Sequence, residues 1–442
     1  MTRALVARLG AFGRRPNVGM VASTGFSVGT KAVQAIAAFA TVHRLVQLWD
    51  LSGYGLWVTL TAFALYISLF DLGVGYGVKN RISEAWGRGD VTEAAGVVRA
   101  GGAVYVLASL AALASGLLVV PLVAPFKHHV VAAGLLWAAC VISFLLSLNS
   151  LVLAALGRFK TLALLSLVAP CSWFCILQAW PRGSALGLET AAAIYGSTMI
   201  LQAVVITVTA RRALGFRVDA WFRTTLAELM PLLRTGAKFL ALQMATFALN
   251  GCGSFIVYRA LGGVETAQYD AANKVFSVFT IAFSTLIAIA WTEISRAKAA
   301  SDYARIAGVH RLLHLLALAF VAAASLACWF SEPLTKALTG IRVPSSSTAA
   351  FVVFIALQIL AFTSAVFLNA FERLRGQIIA AIVSIPVFFG VAQLLLSRGV
   401  GMPSLPLASA CAMLPSLVVC FVIARRLVAS TRPAADAGRA RP

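Results

Sequence analysis

The chain reads as an all-α polytopic membrane protein of about twelve transmembrane helices arranged as two six-helix repeats. Three observations predict this. Of the 442 residues, 60% are hydrophobic and 12% charged, whereas a soluble domain carries about 25% charged residues. Apolar runs long enough to cross about 30 Å of hydrocarbon recur from one end to the other. The two halves also repeat each other. Shifted by 212 positions, Ile82, Ser83, Ala85, Asp90, Ala95, Gly96, Val97 and Arg99 meet Ile294, Ser295, Ala297, Asp302, Ala307, Gly308, Val309 and Arg311. A second match, offset by 215, pairs Leu153, Ala155 and Arg158 with Leu368, Ala370 and Arg373, and Tyr54 with Tyr269. Such symmetry in a membrane chain is the usual mark of a transporter built from two like halves.

The spans are expected near 18–43, 54–78, 97–122, 130–156, 160–180 and 186–210, then 237–260, 268–292, 310–330, 349–370, 376–397 and 404–424. Residues 1–210 thus form a first bundle and 235–428 a second. The stretch 211–234, with Arg211, Arg212, Arg217, Arg223 and Arg234 around Trp221 and Phe222, reads as an amphipathic connector on the membrane surface. The last residues, 429–442, are rich in Ala, Arg and Pro and are expected to be a disordered tail.

A net charge of +21 invites a nucleic-acid reading, but the basic residues sit in short loops and build no basic domain, so no nucleic-acid partner is expected. They set topology instead. If both termini are cytoplasmic, only Arg44, Lys127, Arg182, Arg259, Lys274, Lys336, Arg342 and Arg398 face outward, and most of the 36 Lys and Arg face the cytoplasm. The seven cysteines fall in apolar runs with no CxxC pair, which argues against a disulfide framework or a metal cluster. His310 and His314 share a helix face but lack an evident third ligand. No GxxxxGK[ST], HExxH or GxSxG motif is present, so neither an enzyme nor a cofactor is expected.

The candidate functional residues lie on the faces of a few spans. In the segment 71–90 an apolar run leaves the membrane through a polar block. Gly73, Gly75 and Gly77 remove bulk there, and Asp71 puts a carboxylate at membrane depth. Span 1 lines up Ser23, Ser27, Thr30, Lys31 and Gln34 at helical spacing, and span 7 offers Lys238, Gln243, Thr246, Asn250 and Ser254. A charge at the centre of a span costs about 2.5 to 3.5 kcal/mol on insertion scales, so Lys31 needs a partner, a wet cavity or an anionic ligand. Either Lys31 pairs with Asp71 while Lys238 snorkels, or both cations line a cavity that attracts a phosphate-bearing head group. Arg44, Lys79 and Arg81 would extend such a cationic path, with Gln34 and Asn250 as polar contacts. Asp71 and Glu293 are the carboxylates near enough to membrane depth to couple transport to a proton or sodium ion.

The block Asp71-Leu-Gly-Val-Gly-Tyr-Gly-Val-Lys-Asn-Arg-Ile-Ser-Glu-Ala-Trp-Gly-Arg-Gly-Asp90 resembles the second-span signature of the polysaccharide transporter family, the Wzx-type oligosaccharide flippases. The resemblance extends to the lysine-bearing spans 1 and 7, to Gly53-Tyr54-Gly55 and to the duplication, over roughly residues 15–425. Apart from the span 2 block, the pattern is shared with the wider superfamily that includes MATE multidrug exporters and lipid II flippases. The resemblance implies two six-helix bundles around a cationic cavity in the bacterial inner membrane. It implies translocation of undecaprenyl-pyrophosphate-linked oligosaccharide to the outer face for O-antigen, capsule or exopolysaccharide, beside a polymerase and a chain-length regulator. Two alternatives are a MATE-like ion-coupled exporter, which would want acidic cavity residues, and a membrane scaffold for polysaccharide assembly.

Overall fold

The computed structural model describes residues 18–123, 126–181, 183–214, 225–299, 301–371 and 373–439, and the regular structure in them is helical. The first half opens with α1 (Val18–Leu48) and α2 (Leu51–Ala62), which continues as a 3₁₀ stretch (Phe63–Asp71) into α3 (Val74–Gly87). It is completed by α4 (Val91–Val119), α5 (Val130–Ala155), α6 (Phe159–Leu165), α7 (Val168–Ala179) and α8 (Leu188–Leu214). The second half begins with another broken span, α9 (Leu226–Asn250) and α10 (Gly253–Leu261), followed by α11 (Gly263–Ala299) and α12 (Tyr303–Trp329). A short α13 (Ser331–Thr339) precedes α14 (Ser345–Ala370), α15 (Arg375–Ser397) and α16 (Ser404–Arg439).

Nine of the described helical segments are long and apolar enough to cross a membrane, α6 and α7 counting as one. The other three expected spans coincide with α1, with α2 to α3, and with α9 to α10.

The repeat read from the sequence is exact in places. Helices α5 and α14 are both 26 residues long and start and end 215 positions apart. Each is the centre of its half, α5 packing on α4 and α8, and α14 on α11, α12 and α16. The turn before α4 is built like the turn before α12. Asp90 accepts the Glu93 backbone N–H at 2.9 Å and Asp302 accepts that of Arg305 at 3.0 Å, so each aspartate caps the helix that follows. The residues just before them, Gly89 and Ser301, are both left-handed. After α5 and α14 the chain closes alike, with Arg158 N–H donating to Leu153 O at 3.0 Å and Arg373 N–H to Leu368 O at 2.9 Å.

Two expectations are corrected. Span 2 is not a continuous helix, because Leu72 and Gly73 are left-handed, with φ of 49° and 73°. The Asp71 carboxylate accepts the Gly75 N–H at 3.0 Å and starts a new helix as a capping aspartate does, while glycine at 73 takes the required backbone without strain. Helix α16 runs as far as Arg439, over most of the stretch expected as a tail. Lys274, counted with the outer loops, lies inside α11. The connector residues 215–224 lie outside the described residues.

The halves meet most tightly at the end where α1 passes into α2, the expected outer end. A Cβ on Gly55 would fall 1.8 Å from the Gly263 carbonyl oxygen, and one on Gly263 would fall 2.6 Å from that of Ser52. Only backbone fits there. Phe126 stacks on Phe255 across the same seam at 5.8 Å. Deeper in the bundle the halves touch along one flank, where a Cβ on Gly236 of α9 would come within 2.7 Å of Leu72 O.

Candidate functional site

Lys31 is the fourteenth residue of the 31-residue helix α1, so it sits near mid-span, and its side chain is exposed. Its ammonium donates to Gln34 Oε1 at 3.0 Å. Gln34 in turn donates to the Ser166 carbonyl at 3.0 Å and to Ser166 Oγ at 2.9 Å, at the break between α6 and α7. The pairing of Lys31 with Asp71 does not form. Asp71 Oδ1 instead accepts from the Tyr105 hydroxyl at 2.6 Å and from the Gly75 N–H, and the Gln243 side chain of α9 adds a hydrogen bond. All these donors are neutral. One residue of the polar face read on span 7, Gln243, thus meets Asp71 across the seam, and Gly75 is required there, since a Cβ would approach Tyr105 Oη to 2.9 Å.

The remaining predicted cations are placed differently. Arg44 donates to the Leu177 carbonyl at 3.3 Å and the Trp180 carbonyl at 3.0 Å, capping the C-terminal end of α7, where backbone carbonyls lack partners and the dipole favours a cation. That is a structural position. Lys79 and Arg81 lie two residues apart on α3, half-buried and exposed respectively, and such a spacing turns side chains to opposite sides of a helix. They cannot both line one cavity. Asn250 is exposed, donates to Thr246 O at 3.1 Å and lies 3.5 Å from Gln358 Nε2. Glu293 forms an ion pair with Arg305, joining α11 to α12. The Lys238 side chain lies outside the described residues.

A cluster that sequence reasoning missed lies at the seam between α2 and α11. Asp270 of α11 is buried, forms an ion pair with Lys274 one turn along, and accepts from the Tyr54 hydroxyl of α2 at 2.5 Å. Lys274 also reaches the Tyr54 oxygen at 3.3 Å. The i, i+4 spacing of Asp270 and Lys274 was a visible signal, but nothing local pointed to Tyr54. Beside this cluster a cavity of ≈ 220 Å³ opens between α1, α2, α7 and α8, with Trp57, Trp173, Tyr195 and Lys274 in its wall. Its rings form one group, with Trp57 5.8 Å from Trp173 and 5.6 Å from Tyr195, and Trp173 5.4 Å from Tyr195.

No family model and no curated protein matches the chain by sequence. Solved structures do match by shape. An inward-facing multidrug resistance MATE family transporter of the MOP superfamily superposes with a TM-score of 0.71 at 14% identity, over 90% of this chain and 96% of that one. This chain shares the fold of that transporter. An outward-facing structure of such a transporter gives 0.60 at 15% identity, over 93% of this chain and 97% of the other. A third structure, from Pyrococcus furiosus, also gives 0.60 at 14% identity, over 93% and 94% of the two chains, and is described as a MOP superfamily transporter whose reverse polarity of binding pocket suggests a different function. On this fold Lys31, Gln34 and the aromatic cavity all belong to the first half, and Lys274 reaches the cavity from the second.

Proposed function

We propose that the chain is a membrane transporter that carries lipid-linked oligosaccharide across the bilayer, binding its phosphate-bearing head group between the two halves. One observation carries the reading. Lys31 keeps an exposed ammonium near the middle of a span, bonded only to a neutral amide among the described residues. Such a cation is costly unless it faces water or an anion, and phosphate is the anion that a membrane-borne substrate offers. A diphosphate carrying sugars cannot enter hydrocarbon, whereas its isoprenoid tail is at home there, so the protein need shield only the head.

The outer seam supports an alternating mechanism, since Gly55, Gly263, Tyr54 and Asp270 close that end, and the higher TM-score against the inward-facing structure agrees. Rocking of the halves would transfer access from one face to the other. Arg44, tied to α7, is left out of the binding set, and Asp71 is the coupling acid because its partners carry no charge.

A second reading, ion-coupled export of a small molecule, is favoured by Asp71 itself, a half-buried acid in the first half, and by the multidrug transporters that share the fold. The Lys31 series separates the two. Lys31→Ala should reach the membrane normally, accumulate lipid-linked oligosaccharide on the cytoplasmic side and reduce surface polysaccharide. Lys31→Arg should keep part of the activity and Lys31→Glu the least. Normal polysaccharide export by well-expressed Ala and Glu variants would overturn the head-group assignment.

A further inference from the structure

The aromatic cavity is a second, distinct feature on the same helix face as Lys31. Going along α1 from Lys31 through Gln34, Ala38 and Thr41 takes steps of three and four residues, so these positions form one stripe. Ala38 and Thr41 are in the cavity wall, about 10 and 15 Å along the helix from the Lys31 backbone at 1.5 Å per residue. The Gln34–Ser166 bond joins the stripe to the break that precedes α7, and Trp173, on the same wall, is one turn past Pro170 of that helix.

Three properties define what the cavity can hold. Its walls are broad aromatic faces from Trp57, Trp173 and Tyr195, suited to the C–H faces of a flat, partly apolar ring. Hydroxyls stand beside them, with Thr61 donating to Trp57 O at 2.9 Å and so keeping acceptor capacity, and Thr41 making no hydrogen bond among the described residues. The ionic groups cancel, because Lys274 is paired with Asp270. A cation drawn to the rings would meet Lys274 as a like charge, and no carboxylate in the wall is left to balance it. An anion would find the ammonium already taken. Neutral, aromatic and hydroxylated is the description of a site for an uncharged sugar.

We infer that this cavity binds a neutral sugar ring of the glycan whose phosphate end lies at Lys31, so that a short oligosaccharide lies along the α1 stripe. The inference rests on the reading of the chain as an oligosaccharide carrier and names the subsite that would read the sugar. Its volume of ≈ 220 Å³ is many times what one water needs and admits a sugar ring.

The test is intrinsic tryptophan fluorescence of the purified full chain in detergent, titrated with soluble neutral oligosaccharides of two to five hexose units, with a uronic-acid oligosaccharide and with tetraphenylphosphonium. A saturable change is expected with at least one neutral oligosaccharide. Thr41→Val, which keeps the shape and removes the hydroxyl, should weaken it about three- to tenfold, and Trp173→Phe should weaken it while leaving the protein folded. A saturable response to the phosphonium alone, no response to any neutral sugar, or sugar affinity unchanged from the parent protein in both variants overturns the inference. Transport by the Lys31 series reports on the head-group site independently, so either reading can fail without the other.

Discussion

The two halves solve the same problem of keeping an acid inside a membrane in opposite ways. In the first, Asp71 is held by a phenol, a backbone N–H and an amide, all neutral. In the second, Asp270 is held by a lysine and a phenol. The turns that follow the repeat are the same to within a tenth of an ångström, so the duplication is intact where it serves folding and has diverged where charge is placed. The ion pairs show this as well. Arg88–Glu93 closes its own exposed turn at 2.5 Å, whereas Glu293–Arg305 joins α11 to α12 with both side chains about a quarter exposed. An acid held only by neutral donors can gain or lose a proton without leaving a partner charge stranded, and an acid locked to a lysine serves better as a latch between halves.

The largest effect should come from the seam that this comparison treats as closed. Gly55→Val puts branched carbon into the Gly263 carbonyl and should cost about 4 kcal/mol or more, the range of severe packing defects. It should lower the thermal midpoint in detergent and raise thiol labelling of a Ser52→Cys reporter. Unchanged labelling with an unchanged midpoint would show that the glycines do not touch. Next comes the latch. Asp270→Ala leaves Lys274, whose side chain is 33% exposed, without its carboxylate and should destabilise by about 1 to 3 kcal/mol, and the double replacement with Lys274→Met should recover most of that loss. If the double variant is no better than the single, the pair is not coupled.

A smaller effect is predicted for the other acid. Asp71→Asn keeps an oxygen to accept from Tyr105 and Gly75, so its cost should stay near about 1 kcal/mol, while dependence of transport on a proton or sodium gradient is lost. Gradient-dependent transport by this variant excludes Asp71 from coupling and would make the two acids alike in role. The smallest effect tests the likeness itself. Asp90→Ala and Asp302→Ala each remove one helix cap worth about 1 kcal/mol, and the two should match within a few tenths by chemical denaturation. A clear difference would mean that the repeat has diverged in its turns too.

The sequence alone determined what local chemistry and composition can determine. Apolar runs set the number and placing of the spans because the thickness of hydrocarbon fixes how long each must be, and the offsets of 212 and 215 located the repeat down to the Asp90 and Asp302 caps. It also singled out Asp71, Lys31 and Gln34, since polar groups stand out in an apolar helix. It misjudged the continuity of span 2, because the signal for the break is a side chain, Asp71, reaching the backbone of Gly75, and that bond looks like any other polar residue until it is folded. Only the tertiary structure decided who pairs with whom. Tyr54 and Asp270 are 216 positions apart, and the carboxylate expected beside Lys31 went to Tyr105, 34 residues away. Hydrogen bonds and ion pairs act over a few ångströms, so which groups share them depends on how the halves pack, and no periodicity along the chain encodes that contact.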